Sequence, residues 1–171
     1  MSKEHTEPQV SRPRMPKGYL PADAEHKPLA WSWVRERIAA ATNYWIATTT
    51  PDGRPHARPV WGVWLDDTLL FSTGSRIATN LSTRNDVSVN LESGDEAIII
   101  EGGAELVRDA PLLRRFAAAY NPKYQWDMTP NSPGAVYVVR PRTVFTWLSD
   151  GSGWDGGAAF GRSATRWTFG E

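Results

Sequence analysis

Between Asn43 and Val107 the chain repeats one pattern: a short strand-like run, two to four turn-forming residues, and another run. "NYWIATTT" is followed by "PDGR", residues 54–65 by Asp66-Asp67 and "TLLFST", and "DVSVNLES" by Gly94-Asp95 and "EAIIIEGGAELV". Parallel strands need a crossover of a dozen or more residues, whereas a two-residue turn joins only antiparallel neighbours. The spacing therefore predicts hairpins and an antiparallel sheet. Val87, Val89 and Leu91 alternate with Ser88, Asn90 and Glu92, which marks a strand with one buried face. Gly102-Gly103 predicts a bulge or sharp bend in a long strand.

Helices are spliced into this frame. "PLAWSWVRERIAAA", residues 28–41, carries Leu29, Trp33, Val34 and Ile38 at helical spacing, and "APLLRRFAAAY" carries Leu112, Leu113, Phe116 and Ala117 on one stripe. "SRIATNLSTRN" predicts a short helix with Ser75 as N-cap, since its hydroxyl accepts a bond from an orphan backbone N–H. "NPKYQWDMTPNSPG" reads as a loop and "AVYVVRPRTVFTWLS" as a strand. Residues 149–162 read as a mobile glycine-rich segment, before a last strand "SATRWTF". Six or seven strands with two or three helices point to a mainly β protein built on an antiparallel barrel. Residues 1–27, interrupted by Pro8, Pro13, Pro16 and Pro21, are expected to be an extended or disordered arm. Residues 28–171, at this length, form a single domain.

Composition narrows the function. Nineteen basic side chains balance nineteen acidic ones, so no net field draws the chain to nucleic acid or a membrane. The absence of cysteine removes disulfides, thiol catalysis and cysteine-bound metal. The first fifteen residues lack a signal-peptide core and no window approaches the roughly 18 apolar residues of a membrane span, so a cytoplasmic protein is expected. His5, His26 and His56 are dispersed, and no metal site is expected. Glu92, Asp95, Glu96 and Glu101 cluster at a turn as a solvated face. No general base emerges, so reactive chemistry would belong to a cofactor.

The segment "RPHARPVWGVWLDDTLLFSTGSR" holds the best candidate site. A strand ending in hydroxyl side chains enters a helix whose backbone N–H groups and positive dipole end favour an anion. Arg76 starts that helix and Arg58 lies on the preceding strand; either can grip a phosphate bidentately, although Arg76 taken alone reads first as a solvated helix-start residue. Trp61 and Trp64, three apart on a strand, face opposite sides. Trp147 and Trp167 read as core, although Thr165, Arg166 and Trp167 together would also suit the rim of a planar ligand.

"YWIATTTPDGRPHARPVWGVWLDDTLLFSTGSRIATNLSTRNDVSVNLES", with the later "RFAAAYNPKYQWD" and "SATRWTF", resembles the pyridoxamine-phosphate-oxidase-like split-barrel flavoproteins. It looks closest to their actinobacterial branch that uses the deazaflavin coenzyme F-420. The resemblance implies a homodimeric FMN-binding-type split barrel with cofactor sites at the subunit interface. By position, Arg58, Pro59, Val60 and Trp61 would run beside the ring. Ser72, Thr73, Ser75, Arg76 and Asn80 would hold the phosphate and ribityl chain. Glu92 and Ser93 would approach from the partner subunit, and Arg166 with Trp167 would close the ring end. Two family lysines have no counterpart: Ile77 follows the "SR" pair, and Val63 and Trp64 stand near the end of the second strand. Lys123 could supply a replacement charge. The expected activity is hydride transfer from reduced F-420 to a small conjugated or quinone-like molecule, with Tyr44, Tyr124 or solvent as proton donor and FMN as the other cofactor. A non-catalytic carrier of F-420, FMN or a tetrapyrrole is the alternative, and a ligand-free interaction module the third.

Overall fold

A computed structural model describes residues 8–16, 25–129, 134–151 and 157–170. The strands are β1 (Gln9–Ser11), β2 (Tyr44–Thr49), β3 (Pro55–Val60), β4 (Gly62–Leu65), β5 (Thr68–Ser72), β6 (Asp86–Asn90), β7 (Glu96–Leu106), β8 (Val136–Leu148) and β9 (Thr165–Thr168). The helices are α1 (Trp31–Ala40), α2 (Arg76–Leu81), α3 (Ala110–Tyr124) and α4 (Ala158–Ser163). All strand pairings are antiparallel, in the order β1-β9-β8-β7-β6-β2-β3, with β4 on β5 and β5 on the first half of β8.

The run 54–65, expected as one strand, is two. It breaks at Trp61: β3 pairs with β2, and β4 leaves for β5. Gly62 makes the departure possible, because a Cβ there would stand 2.7 Å from the Leu70 carbonyl oxygen. Between β4 and β5, Asp66 and Asp67 both take positive φ (49° and 56°), the conformation that a two-residue hairpin turn demands. β7 shifts register against β8 between Glu101 and Gly102, the bend expected at the glycine pair.

One core lies between the curled sheet and α1. Trp31, Val34 and Ile38, spaced three and four apart, meet Tyr44, Ile46, Leu69, Phe71, Val89 and Ile100. The second core lies under α3, where Phe116, Ala117 and Tyr120 cover Val63, Leu70, Val136 and Val138. Asp109 caps α3 by accepting the Leu112 N–H at 2.8 Å. The helix runs on through Pro122 to Tyr124, so the first residues of the expected loop are helical. Part of the expected mobile segment is also ordered: α4 hydrogen-bonds through Ser163, whose hydroxyl accepts the Leu148 N–H at 2.8 Å. Residues 152–156 of that segment lie outside the described residues.

The N-terminal residues that are described lie on the body. β1 pairs with β9, Arg12 donates to the Gly161 carbonyl at 2.9 Å, and the Lys27 N–H donates to the Arg162 carbonyl at 2.8 Å. Among the described residues, no helix is long and apolar enough to cross a membrane.

Candidate functional site

The break at Trp61 opens a cleft of about 380 Å³ between the end of β3 and the β5–α2 corner. Arg58, Pro59, Val60 and Trp61 form one wall, and Ser72, Thr73 and Ser75 the opposite corner. The family resemblance implies one ligand for all seven of these residues.

The corner is a hydroxyl network. Ser75 caps α2, its Oγ accepting the Ile77 N–H at 3.3 Å, and lies 2.8 Å from Thr73 Oγ1. Thr73 Oγ1 also accepts the Ser75 N–H at 3.2 Å, while the Thr73 N–H donates to the Ala135 carbonyl at 3.0 Å. These bonds fix the hydroxyls before any ligand arrives, which lowers the entropy cost of binding one. The wall is braced from behind. Tyr124 stacks on Trp61 with centroids 4.8 Å apart and planes within 6°. The Tyr124 hydroxyl accepts the Gly62 N–H at 3.0 Å and lies 2.8 Å from the Gly62 and Thr42 carbonyl oxygens.

Other expected residues lie off the cleft within the chain. Arg76 is exposed, and its charge bears on Asp52 of the β2–β3 turn; the Thr50 hydroxyl is the main cause holding that carboxyl below its ordinary range. Asn80 is a core residue instead of a cleft residue, because its amide donates to Thr48 Oγ1 at 2.8 Å and pins α2 to β2. Trp167 is likewise packed in the core, 5.4 Å from Trp31 between ring centroids. Arg166 is half-buried on β9, opposite Ser11 and Phe145. Glu92 accepts from Asn43 Nδ2 at 3.3 Å, and the Ser93 hydroxyl accepts the Asp95 and Glu96 N–H groups of its own turn.

Lys123 does not replace the absent lysines. Its ammonium donates to the Ala39 and Gly62 carbonyls (3.2 and 3.1 Å) and to the Tyr44 hydroxyl (3.0 Å), and it does not line the cleft. Burial lowers its pKa to about 8. The native state then binds fewer protons than the unfolded chain between about pH 8 and the ordinary lysine value of 10.5. Stability therefore rises across that window relative to a Lys123→Met variant. Parallel urea titrations from pH 7 to 10 measure the difference, and a flat difference contradicts it.

Neither expected tyrosine is free to deliver a proton. The Tyr44 hydroxyl is buried and donates to the Ile38 carbonyl at 2.6 Å, and burial raises its pKa strongly. Tyr124 is engaged as described. Tyr120, which the sequence reading missed, lines the cleft from α3, and burial raises its pKa. Its signal was the spacing Phe116-Tyr120-Tyr124, one side chain per turn on the packed face. Asn43 and Ile77 complete the lining; Ile77 has no solvent exposure, so the position after "SR" is an apolar floor here. Among the described residues, no group of three or more histidine or acidic side chains could hold a metal ion.

The profile of the pyridoxamine 5'-phosphate oxidase family matches residues 32–148, which include the cleft. The chain belongs to this family. No curated protein matches the chain in sequence. Solved structures with the same fold include a conserved hypothetical protein from Mycobacterium tuberculosis (22% identity, TM-score 0.62, covering 70% of this chain and 85% of that one). An F-420 reductase aligns at 23% identity and TM-score 0.51, over 64% of this chain and 94% of its own. The haem storage protein HutZ from Vibrio cholerae aligns at 18% identity and TM-score 0.54, over 68% and 93%. At these identities the likeness is one of fold, the split barrel of the family.

Proposed function

We propose that this split-barrel protein binds coenzyme F-420 in the cleft and acts as an oxidoreductase on a small conjugated or quinone-like molecule. The observation that carries the reading is the union, in one cleft, of a braced aromatic wall with an arginine and a preset hydroxyl corner. These residues fit a flat ring with an anionic tail. Trp61, stacked on Tyr124, offers a rigid planar surface. Arg58 supplies charged donors for the tail, the hydroxyl of Thr73 or Ser75 that is not spent on their mutual bond supplies another, and the apolar floor at Ile77 excludes water from beneath the ring. A single arginine among the described lining residues matches the single charge of a phosphodiester better than the double charge of FMN phosphate, which makes FMN the second choice. When bound, the reduced deazaflavin supplies a hydride. Tyr120, which lines the cleft, is a phenol protonated at neutral pH like any tyrosine, and its burial makes that proton harder still to release.

The reading includes a homodimer, formed by residues 28–171 as one domain with the arm 1–27 beside it. The support is the sheet face turned away from the core, where half-exposed Trp45 lies between Pro59 and Asn90 and is followed by a row of small side chains, Ala57, Ala47 and Ser88. Arg166 shares this face, and in a dimer Glu92 and Ser93 of the partner subunit approach the cleft while Arg166 closes the ring end. A carrier role for F-420, FMN or a tetrapyrrole is the second reading, favoured by the lack of any carboxylate or histidine among the described lining residues.

Titrating the purified protein with F-420 tests the proposal. The expected result is a saturable change in the coenzyme's absorbance and fluorescence, one equivalent per chain, in a particle of twice the chain mass. Reduction of enones or quinones by reduced F-420 then separates the enzyme from the carrier. No spectral change at saturating coenzyme refutes both forms of the F-420 reading.

A further inference from the structure

A second hollow of about 390 Å³ shares Ser72 and Tyr120 with the cleft, so the two form one trough. Its remaining walls come from the segment after α3, chiefly Trp126, Asp127, Met128 and Thr129.

That segment is held in place by bonds to the helix. Gln125 adopts a left-handed conformation (φ 50°, ψ 45°) that turns the chain out of α3. The Trp126 N–H returns to the Asn121 carbonyl at 3.0 Å. The Asn121 side chain then fixes Met128 on both sides, Nδ2 donating to its carbonyl (3.0 Å) and Oδ1 accepting its N–H (2.9 Å). Met128 is buried under α3, so Trp126 and Asp127 are presented at the surface between two anchors.

Trp126 is 57% exposed and meets Trp61, 43% exposed, edge to face at 6.3 Å. Large apolar side chains this exposed cost free energy in isolation, and two set together along one trough mark a recognition surface. The second half of the trough also carries one charge. Asp127 is the sole ionised side chain among its described lining residues, and it makes no hydrogen bond or ion pair with any described residue. Arg58 belongs to the other half. An aromatic cation gains both from the tryptophan faces and from the carboxylate, whereas a neutral ring of the same shape gains only from the first.

We propose that this second half binds a planar aromatic or conjugated compound carrying a positive nitrogen, with that nitrogen toward Asp127. The inference names the substrate class of the oxidoreductase site and rests on that reading for the occupant of the first half.

Equilibrium dialysis against N-methylquinolinium and against neutral N-methyl-2-quinolone, of nearly the same outline, tests it. On the unmodified protein the cation is expected to bind about threefold more tightly, the size of an exposed charge pair. Asp127→Asn removes that preference and leaves the quinolone unchanged, and Trp126→Ala weakens both by about threefold to fivefold. Equal affinities on the unmodified protein, or a preference that survives Asp127→Asn, overturn the proposal. A parallel F-420 titration keeps the two ideas apart. An Asp127-dependent preference without coenzyme binding refutes the oxidoreductase reading alone, and coenzyme binding without the preference refutes this inference alone.

Discussion

If the cleft holds F-420 as proposed, Arg58→Ala is expected to weaken binding of the coenzyme by roughly 10- to 100-fold, the loss of one hydrogen bond to a charged group at about 1.5–3 kcal/mol. The arginine lines the cleft from an exposed strand and makes no bond or ion pair with any described residue. Its removal therefore leaves the fold alone, and the melting temperature is expected to stay within a degree or two. Arg76→Ala is the matched control: it removes the same charge from a site off the cleft, and binding is expected to change by less than about threefold. Ser75→Ala is a poorer probe, because the hydroxyl also caps α2 and its loss costs about 1 kcal/mol of stability. Fluorescence titration with each variant measures the contrast. Equal losses for Arg58 and Arg76 contradict the cleft as the binding site.

Gly102→Ala is expected to destabilise the protein by about 3 kcal/mol, while its neighbour Gly103→Ala stays within about 1 kcal/mol. The difference lies in what a methyl group meets. At Gly102 it falls on the Arg140 carbonyl oxygen, a backbone atom of the paired strand that can retreat only if the sheet opens. At Gly103 the nearest atoms are the Asn85 side-chain amide at 3.6 Å and the Arg142 guanidinium at 4.0 Å, both able to move aside. The crowding follows from the register shift, which brings Gly102 opposite Pro141 and leaves Arg142 out of the ladder to donate to the Gly102 carbonyl at 3.2 Å. Urea unfolding reads both variants, with midpoints that differ at a constant slope. Equal midpoints contradict the close approach.

The strands, the bulge and the Ser75 cap were legible because each rests on local chemistry: alternation, turn residues, a hydroxyl beside an orphan N–H. The corner of the cleft was legible for the same reason, as hydroxyl side chains running into a helix start, whereas the wall from Arg58 to Trp61 was implied only by the family resemblance. What escaped depended on distant partners. Nothing near Trp61 announces that Tyr124, more than sixty residues on, stacks behind it and holds the Gly62 amide, so the break in the strand was invisible. Lys123 looked like a spare charge until its three acceptors, from α1, β2 and Gly62, came into view. Asn80 and Trp167 have the composition of ligand contacts, and only packing shows them inside. Tyr120 was hidden by its own regularity, since a tyrosine on a helix stripe looks like core until a cleft is found beside it.

β3 ends the strand order, so one of its sides meets no other described strand. Prolines stand at two of its six positions, Pro55 and Pro59, where no N–H exists to recruit a foreign strand. The margin of the molecule beside the cleft can thus stay uncovered without templating fibrils, and replacing both prolines would turn an inert border into an adhesive seam.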